Sequence, residues 1–222
     1  MFHVKHRPRA AADSGRGGGD YGLDDLVREL DLPAETRARF QLYGELLAKW
    51  QRRINLVGNR TLADMWRRHF LDSAQLAPLL PTGATVIDLG SGAGFPGLVL
   101  ALLHDGPVHL VESDARKCAF LREADRVTEA GAIIHVGRIE ALDLPPADVV
   151  TARALAALDV LLGYAEPLLK PDGFCLFAKG QKAAEELTGI GKSWTMTTSR
   201  IPSRSDPSGV IVKLEGISRH HA

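Results

Sequence analysis

The sequence predicts an α/β fold in which helices cover both faces of a mostly parallel, Rossmann-like sheet, with a small helical cap in front of it. After residue 83, short runs rich in Val and Ile alternate with helical stretches, which is the pattern of βαβ units. Between Leu23 and Leu80, apolar residues instead recur with helical spacing. The predicted parts are a basic, Gly-rich tail over 1–20 that we expect to be disordered, a cap over 21–82 and a sheet domain over 83–222.

The cap is predicted to contain two helices. The first fits Pro33 in its first turn and buries one face, made of Tyr43, Leu46, Leu47, Trp50 and Ile54. Residues 55–59 form a loop, and a second helix is expected from Asp64 to Leu80. The predicted strands are Thr85–Leu89, Val108–Glu112, Ala132–Val136, Asp148–Ala152 and Phe174–Ala178. The predicted helices between them are Pro96–Leu103, Ala115–Glu129 and Leu158–Leu169, and Met196–Ile201 with Val210–Leu214 is predicted to close the sheet as a hairpin.

Composition narrows the class of protein. The 222 residues are 45% hydrophobic and 24% charged, with a formal net charge of zero. No apolar run approaches the roughly 18 residues of a membrane span, and the first residues lack the apolar segment of a secretory signal. Two cysteines make neither a disulfide framework nor a thiolate metal cluster, and Arg219-His220-His221 is too short and terminal for a metal site. We expect a cytoplasmic, metal-free monomer.

A glycine-rich loop follows the first predicted strand, where parallel sheets bind ligands. Gly90, Gly92 and Gly94 suit tight turns and a close approach of backbone to ligand. The helix opened by Pro96 offers unpaired N–H groups that suit a carboxylate or a phosphate. A structural glycine turn without a ligand is the least favoured interpretation.

Two cofactors compete for this loop. Gly92–Gly97 satisfies the nucleotide fingerprint G-x-G-x-x-G, and Glu112 follows at the distance which that fingerprint expects. S-adenosylmethionine is favoured because Gly90 directly follows the strand, because Asp88 would repel a pyrophosphate but could face a cationic ligand, and because a helical extension precedes the sheet. The closing hairpin also distinguishes a class I methyltransferase sheet from a dinucleotide-binding one. Glu112 is placed either to accept hydrogen bonds from ribose hydroxyls or to cap the next helix.

Beyond the loop, an ordered set of motifs resembles the RsmG (GidB) family of bacterial methyltransferases, which modify the N7 of a guanine in 16S ribosomal RNA. The motifs are Asn55–Val57, His69–Ser73, Asp88–Gly97, Val111–Ser113, Gly137–Glu140, Thr151–Leu155 and Lys179-Gly180. The resemblance implies S-adenosylmethionine as the cofactor and 16S rRNA or the small ribosomal subunit as the partner. It implies cofactor contacts from Gly90 and Phe95, an adenine site flanked by Ile139 and Glu140, and a binding role for Arg153. Leu155-Ala156-Ala157 departs slightly from the family pattern.

The chemistry agrees with this resemblance. Guanine N7 carries a lone pair and no proton, so methyl transfer needs alignment and no general base. The sequence offers no Asn/Asp-Pro-Pro-Tyr motif for amine methylation, and Cys118 and Cys175 lie in apolar surroundings that suit buried side chains better than nucleophiles. Arg153 is suited to the methionine carboxylate or an RNA phosphate, or else to a salt bridge with Asp148 or Asp159. His69 and Asp72 either shape the guanine pocket or join the helix to the domain, and we favour the second role.

A basic cluster straddles the loop between the two cap helices. Its members are Lys49, Arg52, Arg53, Arg60, Arg67 and Arg68, opposed only by Asp64. The hypothesis is that the five arginines grip rRNA beside the cofactor cleft, since nucleic-acid binders carry local basic patches. A solvated helix face is the alternative.

Overall fold

The computed structural model describes residues 21–220, so the predicted tail over 1–20 lies outside the described residues. Its sheet has seven strands: β1 Val86–Leu89, β2 Val108–Glu112, β3 Ile133–Val136, β4 Ala147–Arg153, β5 Leu169–Lys179, β6 Trp194–Pro202 and β7 Val210–Arg219. The spatial order is β3-β2-β1-β4-β5-β7-β6. Neighbours among β1 to β5 are parallel, whereas β7 is antiparallel to both β5 and β6. The predicted parallel sheet with a C-terminal antiparallel hairpin is therefore confirmed.

The helices cover both faces of this sheet. They are α1 Leu23–Leu30, α2 Ala34–Gln51, α3 Asn59–Leu62, α4 Asp72–Ala74, α5 Gly97–Ala101, α6 Ala115–Thr128, α7 Leu158–Ala165 and α8 Ala183–Ile190, with a π-helix over Trp66–Leu71 and 3₁₀ turns at Ala77–Leu79, Ile139–Ala141 and Glu166–Leu168. Helix α8 was not predicted. Pro33 is the residue that caps α2 and not part of its first turn. None of the described helices is long and apolar enough to cross a membrane.

The helix predicted from Asp64 to Leu80 is present but irregular: a π-helix runs directly into the α-turn of α4, and a 3₁₀ turn follows. The π-helix packs against α2. Trp66 lies so close to Gly44 that a Cβ there would be 2.7 Å from the indole ring. The wider π turn leaves backbone groups free for other partners, and the carbonyl of Arg68 accepts a hydrogen bond from Arg153 Nη1 at 3.1 Å.

The cap shares one hydrophobic core with one face of the sheet. Phe40, Tyr43 and Phe70 of the cap are fully buried, and the Phe70 ring centroid lies 5.2 Å from that of Phe95 in the glycine loop. A second cluster fills the opposite face of the sheet. The first hydrophobic cluster contains residues from both sides of the predicted domain boundary near residue 82, so the boundary stays a prediction.

Candidate active site

A cleft of about 760 Å³ opens where the strand order reverses between β1 and β4. Leu89, the last residue of β1, pairs with Ala152 of β4, so Gly90 and Arg153 follow at the same edge of the sheet. Both residues line the cleft. Parallel α/β sheets bind small ligands at such a switch point, and the volume is typical of small-molecule sites.

The glycine loop forms one wall of the cleft. Gly90, Gly92 and Gly94 have φ angles of 66°, 57° and 89°, which side chains rarely adopt. A Cβ on Gly90 would lie 2.6 Å from a methyl group of Leu155, which projects from the loop after β4. The cap holds the loop from beneath, because the Tyr43 hydroxyl donates to the carbonyl of Ala93 and the Tyr43 ring stacks on Phe95. The backbone that must approach a cofactor is thus fixed before binding.

Asp88 does not line the cleft, and its expected position facing a cationic ligand was wrong. The carboxylate is fully buried, and it accepts hydrogen bonds from the Gly97 N–H at 3.1 Å and the Thr151 hydroxyl at 3.0 Å. It therefore occupies the first donor of α5, which was expected to receive an anionic ligand. Asp88 supports the loop from inside the domain.

Burial raises the pKa of Asp88 from 3.8 to about 6, although the hydrogen bonds to its carboxylate oppose the shift. Because ionisation is harder in the folded state, this group lowers the free energy of unfolding as pH rises from about 4 to about 7. We expect Asp88→Asn to abolish that loss. The free energy of unfolding of the variant, relative to that of the wild type, should therefore rise by roughly 2–3 kcal/mol over this pH range. Urea unfolding of both proteins at several pH values measures the difference. Parallel pH profiles would contradict the assignment.

Glu112 ends β2 and lies against the glycine loop. One carboxylate oxygen accepts from the Gly92 N–H at 2.9 Å, and the other accepts from Ser113 and Asp114, each at 2.7 Å. The latter two bonds hold the backbone that leads into α6. The oxygen facing Gly92 keeps lone pairs for another donor. Both predicted roles, ribose contact and support of the helix start, are compatible with this geometry.

Arg153 lies across the cleft from the glycine loop. Its Nη1 is 3.3 Å from Asp72 Oδ2, and its guanidinium lies 5.0 Å from the centre of the Phe95 ring. The alternative salt bridges were wrong, because Asp148 pairs with Lys170 and Asp159 accepts from Trp194. Arg153 therefore contacts both the cofactor loop and the π-helix.

The remaining predicted cofactor residues lie elsewhere. Ile139 and Glu140 form the 3₁₀ turn after β3; neither lines the cleft, and Ile139 packs against the second core cluster. Val136 at the end of β3 pairs with Glu112 at the end of β2, so this turn follows β3 at the edge of the sheet where Glu112 lies. Their predicted place beside an adenine stays a prediction.

The five arginines predicted to bind RNA do not occupy one kind of environment. Arg52, Arg53 and Arg60 are exposed. Arg67 lies 4.4 Å above the ring of Tyr21, whereas Arg68 lines the cleft and pairs with Asp206. Only the first three keep exposed positions around the loop between α2 and α3, so the RNA hypothesis for them stays a prediction.

Several cleft residues were either missed by the sequence analysis or given another role there. Lys117, Lys179, Glu186 and Asp206 line the cleft but come from four separate segments, and His69 and Asp72 line it from the π-helix and its continuation. Lys117, Glu186 and Asp206 carry no motif that marks a ligand site, and Lys179 lies in the family motif Lys179-Gly180 without an assigned role, so only the fold brings the four together. His69 and Asp72 lie in a quoted family motif, and their position in the cleft favours the interpretation that we ranked second.

Seven strands in this order, with an antiparallel β7 and a glycine loop after β1, define the class I methyltransferase fold. Solved structures share it: M. jannaschii TYW2, crystallised in complex with AdoMet, superposes with a TM-score of 0.55 at 16% identity over 70% of this chain and 78% of its own. At that identity the likeness concerns the fold alone.

Sequence comparison gives the family. The model of rRNA small subunit methyltransferase G (GidB) matches residues 36–207. The ribosomal RNA small subunit methyltransferase G of Gluconobacter oxydans is 55% identical over 83% of this chain and 96% of its own, and that of Paramagnetospirillum magneticum is 54% identical over 90% and 98%. The chain belongs to the rRNA small subunit methyltransferase G family.

Proposed function

We propose that the chain transfers a methyl group from S-adenosylmethionine to the N7 of a guanine in 16S ribosomal RNA. The observation that carries the proposal is the cleft at the β1/β4 switch point, which has a cofactor-type glycine loop on one wall and basic side chains on the other. The direct test is methylation of small ribosomal subunits from cells that lack the enzyme, followed by identification of the modified atom.

The residues of the cleft fit S-adenosylmethionine. Gly90 and Gly92 present backbone without side chains, and Arg153 is suited to the methionine carboxylate. Glu112 does not itself line the cleft, but it hydrogen-bonds to Gly92 at the end of β2, where ribose hydroxyls would lie. Asp88 already occupies the first N–H of α5, a donor that a nucleotide pyrophosphate would need. When bound, this cofactor supplies an electrophilic methyl group on a sulfonium centre.

The acids and bases of the cleft suit an acceptor without a proton. Asp72, Asp206 and Glu186 are paired with Arg153, Arg68 and Lys179, respectively. The pKa of His69 is lowered to about 3, chiefly by burial and then by Arg153 and Arg68, so its ring is neutral at pH 7. The chain therefore contributes alignment, which suffices for a nucleophile such as guanine N7.

Cysteine chemistry is not supported by the positions of the two thiols. Both Cys118 and Cys175 are buried outside the cleft, as expected, and burial raises the pKa of each thiol. Cys118 donates to the Glu112 carbonyl at 3.3 Å. Neither side chain is placed to attack a pyrimidine carbon.

Of the cationic side chains that line the described cleft, one has no acidic partner and is therefore available to bind RNA. Four lysines and arginines line it, and its three acids pair with Arg68, Arg153 and Lys179. Among the described residues, Lys117 has no acidic partner within 4 Å. The exposed Arg52, Arg53 and Arg60 flank the loop from residue 54 to 58, part of which also lines the cleft. These positions support a path for the RNA backbone across the cap rim, with Lys117 at the entrance to the cleft.

We expect Lys117→Ala to weaken binding of 16S rRNA several-fold and to lower the slope of log K against log salt by roughly 0.7–1, because one phosphate contact is lost. Filter binding over a salt series measures both values, and calorimetry with S-adenosylmethionine should give an unchanged Kd. The matched control is Arg116→Ala, since Arg116 neighbours Lys117 in α6 but is paired with Asp114 outside the cleft. A weaker cofactor Kd with an unchanged salt slope would contradict the RNA role.

The proposed substrate also indicates where in the cell the protein acts. Small ribosomal subunits lie in the bacterial cytoplasm, so we propose a cytoplasmic location, and the expected monomer stays a prediction.

A further inference from the structure

His69 combines burial with an unsatisfied polar atom at the floor of the cleft. The residue is 8% exposed and lies in the π-helix, and its ring stacks on Phe95 with a centroid distance of 5.1 Å. Its Nδ1 is the one buried side-chain polar atom in the described residues that lacks a hydrogen-bond partner. Leaving such an atom unpaired is costly, so a buried orphan at a binding site needs a partner.

The hydrogen bonds of Thr61 determine which nitrogen of His69 carries the proton. The Thr61 hydroxyl donates to the carbonyl of Gly58 at 2.8 Å, and its oxygen lies 2.8 Å from His69 Nε2. A hydroxyl has only one proton. Because that proton goes to the carbonyl, Nε2 must donate to the Thr61 oxygen, and a neutral ring then leaves Nδ1 as a bare acceptor.

On the basis of the proposed function, we infer that His69 selects the target base by accepting a hydrogen bond on Nδ1 from the Watson–Crick edge of guanine. That edge carries two kinds of donor, the N1–H and the exocyclic amino group, while N7 on the other ring stays free to meet the methyl group. Enzymes that act on an extruded base read this edge and stack the base on aromatic side chains. Adenine has an acceptor at N1 where guanine has the N1–H, so a contact from Nδ1 to this position disfavours adenine.

Access to Nδ1 depends on Arg153. Nδ1 is enclosed, and Arg153 lies against the same Phe95 ring as His69. Its guanidinium is held only by the Arg68 carbonyl and Asp72. A cofactor carboxylate that bonds to Arg153 in place of Asp72 would shift the guanidinium away from His69 and open space beside the ring, so cofactor binding would prepare the guanine site.

The test compares two variants that both lose the Nε2 bond to Thr61. His69→Phe keeps an aromatic ring but has no acceptor, whereas His69→Asn can place an amide oxygen near the position of Nδ1. We expect kcat/KM on small ribosomal subunits to fall roughly 10- to 100-fold in His69→Phe, the effect of leaving a ligand donor unpaired. We expect His69→Asn to recover at least half of that loss on a logarithmic scale. The Kd for S-adenosylmethionine should match that of the wild type in both variants.

Three results would overturn the inference: a wild-type rate in His69→Phe, equal losses in both variants, or a loss of cofactor affinity that accounts for the loss of rate. Thermal unfolding of each variant with cofactor present identifies a variant that has not folded; His69→Leu then replaces His69→Phe as the variant without an acceptor, or His69→Asp replaces His69→Asn as the variant with one. The wild-type reaction separates this inference from the proposed function. If the wild type does not methylate guanine N7, the proposed function fails, whereas a methylating wild type with an equally active His69→Phe defeats only the role of His69.

Discussion

We expect Arg153→Met to weaken S-adenosylmethionine binding roughly 100-fold and to lower methylation at least as much, since a charge-assisted contact to a carboxylate contributes about 1.5–3 kcal/mol. The Arg153 side chain is only 17% exposed and contacts both the Phe95 ring and the π-helix. Its guanidinium is thus held beside the cofactor loop before any ligand binds. Calorimetry gives the cofactor Kd, and single-turnover assays give the rate.

Two further variants separate the possible roles of Arg153. Arg153→Lys keeps the charge without the forked donor, and we expect an intermediate loss of roughly tenfold. The double variant Arg153→Met/Asp72→Asn tests whether the loss arises from an unpaired Asp72 carboxylate. If it restores cofactor binding, Arg153 only neutralises Asp72. A normal cofactor Kd in Arg153→Met together with weaker RNA binding would assign Arg153 to the RNA.

The second large effect is on stability. We expect Gly94→Ala to cost more than about 4 kcal/mol of unfolding free energy, because the left-handed φ of 89° alone costs about 1–2 kcal/mol and the new methyl group would overlap its neighbours. Its Cβ would lie 2.5 Å from the Tyr43 hydroxyl and 2.9 Å from Leu98 Cβ. The clash lies where the cap packs against the glycine loop, so the substitution should abolish cofactor binding together with folding. Urea unfolding monitored by circular dichroism measures the loss.

Gly83 provides the matched control for this substitution. Its φ is 69°, but a Cβ there would meet nothing within 4 Å. Gly83→Ala should therefore cost only the backbone strain, about 1–2 kcal/mol. Removing the hydroxyl in Tyr43→Phe should also soften Gly94→Ala, which would appear as a coupling of about 1 kcal/mol or more in a double-mutant cycle. Equal losses at Gly94 and Gly83 would show that the close packing beneath the loop is not what requires glycine.

Local pattern was sufficient for the elements that carry regular periodicity. The parallel strands, the closing hairpin and the glycine loop were predicted because strand alternation and glycine spacing are local signals. The π-helix was not, since it depends on the approach of Trp66 to Gly44, two residues far apart in the chain. Asp88 was misplaced for a similar reason: its sequence position fixes it at the end of β1, but only the Thr151 and Gly97 contacts show that its carboxylate points into the domain.

Site residues next to predicted strand ends were predicted, whereas those that depend on contacts between distant segments were missed. Gly90 and Arg153 follow directly from the ends of two predicted strands. Lys117, in contrast, is a candidate only because every other cation in the cleft is paired with an acid. His69 is a candidate only because the Thr61 hydroxyl determines which ring nitrogen carries the proton. Such roles depend on contacts between distant segments, and no spacing within one segment records them.

The central claim is tested most directly by incubating the protein with methyl-labelled S-adenosylmethionine and small ribosomal subunits from cells that lack the enzyme, then mapping the label by mass spectrometry of rRNA digests. The account predicts one methyl group on the N7 of a single guanine in 16S rRNA, formed at least roughly 100-fold more slowly with Arg153→Met at the same cofactor concentration. Label on a carbon, an exocyclic amine or a ribose would contradict it.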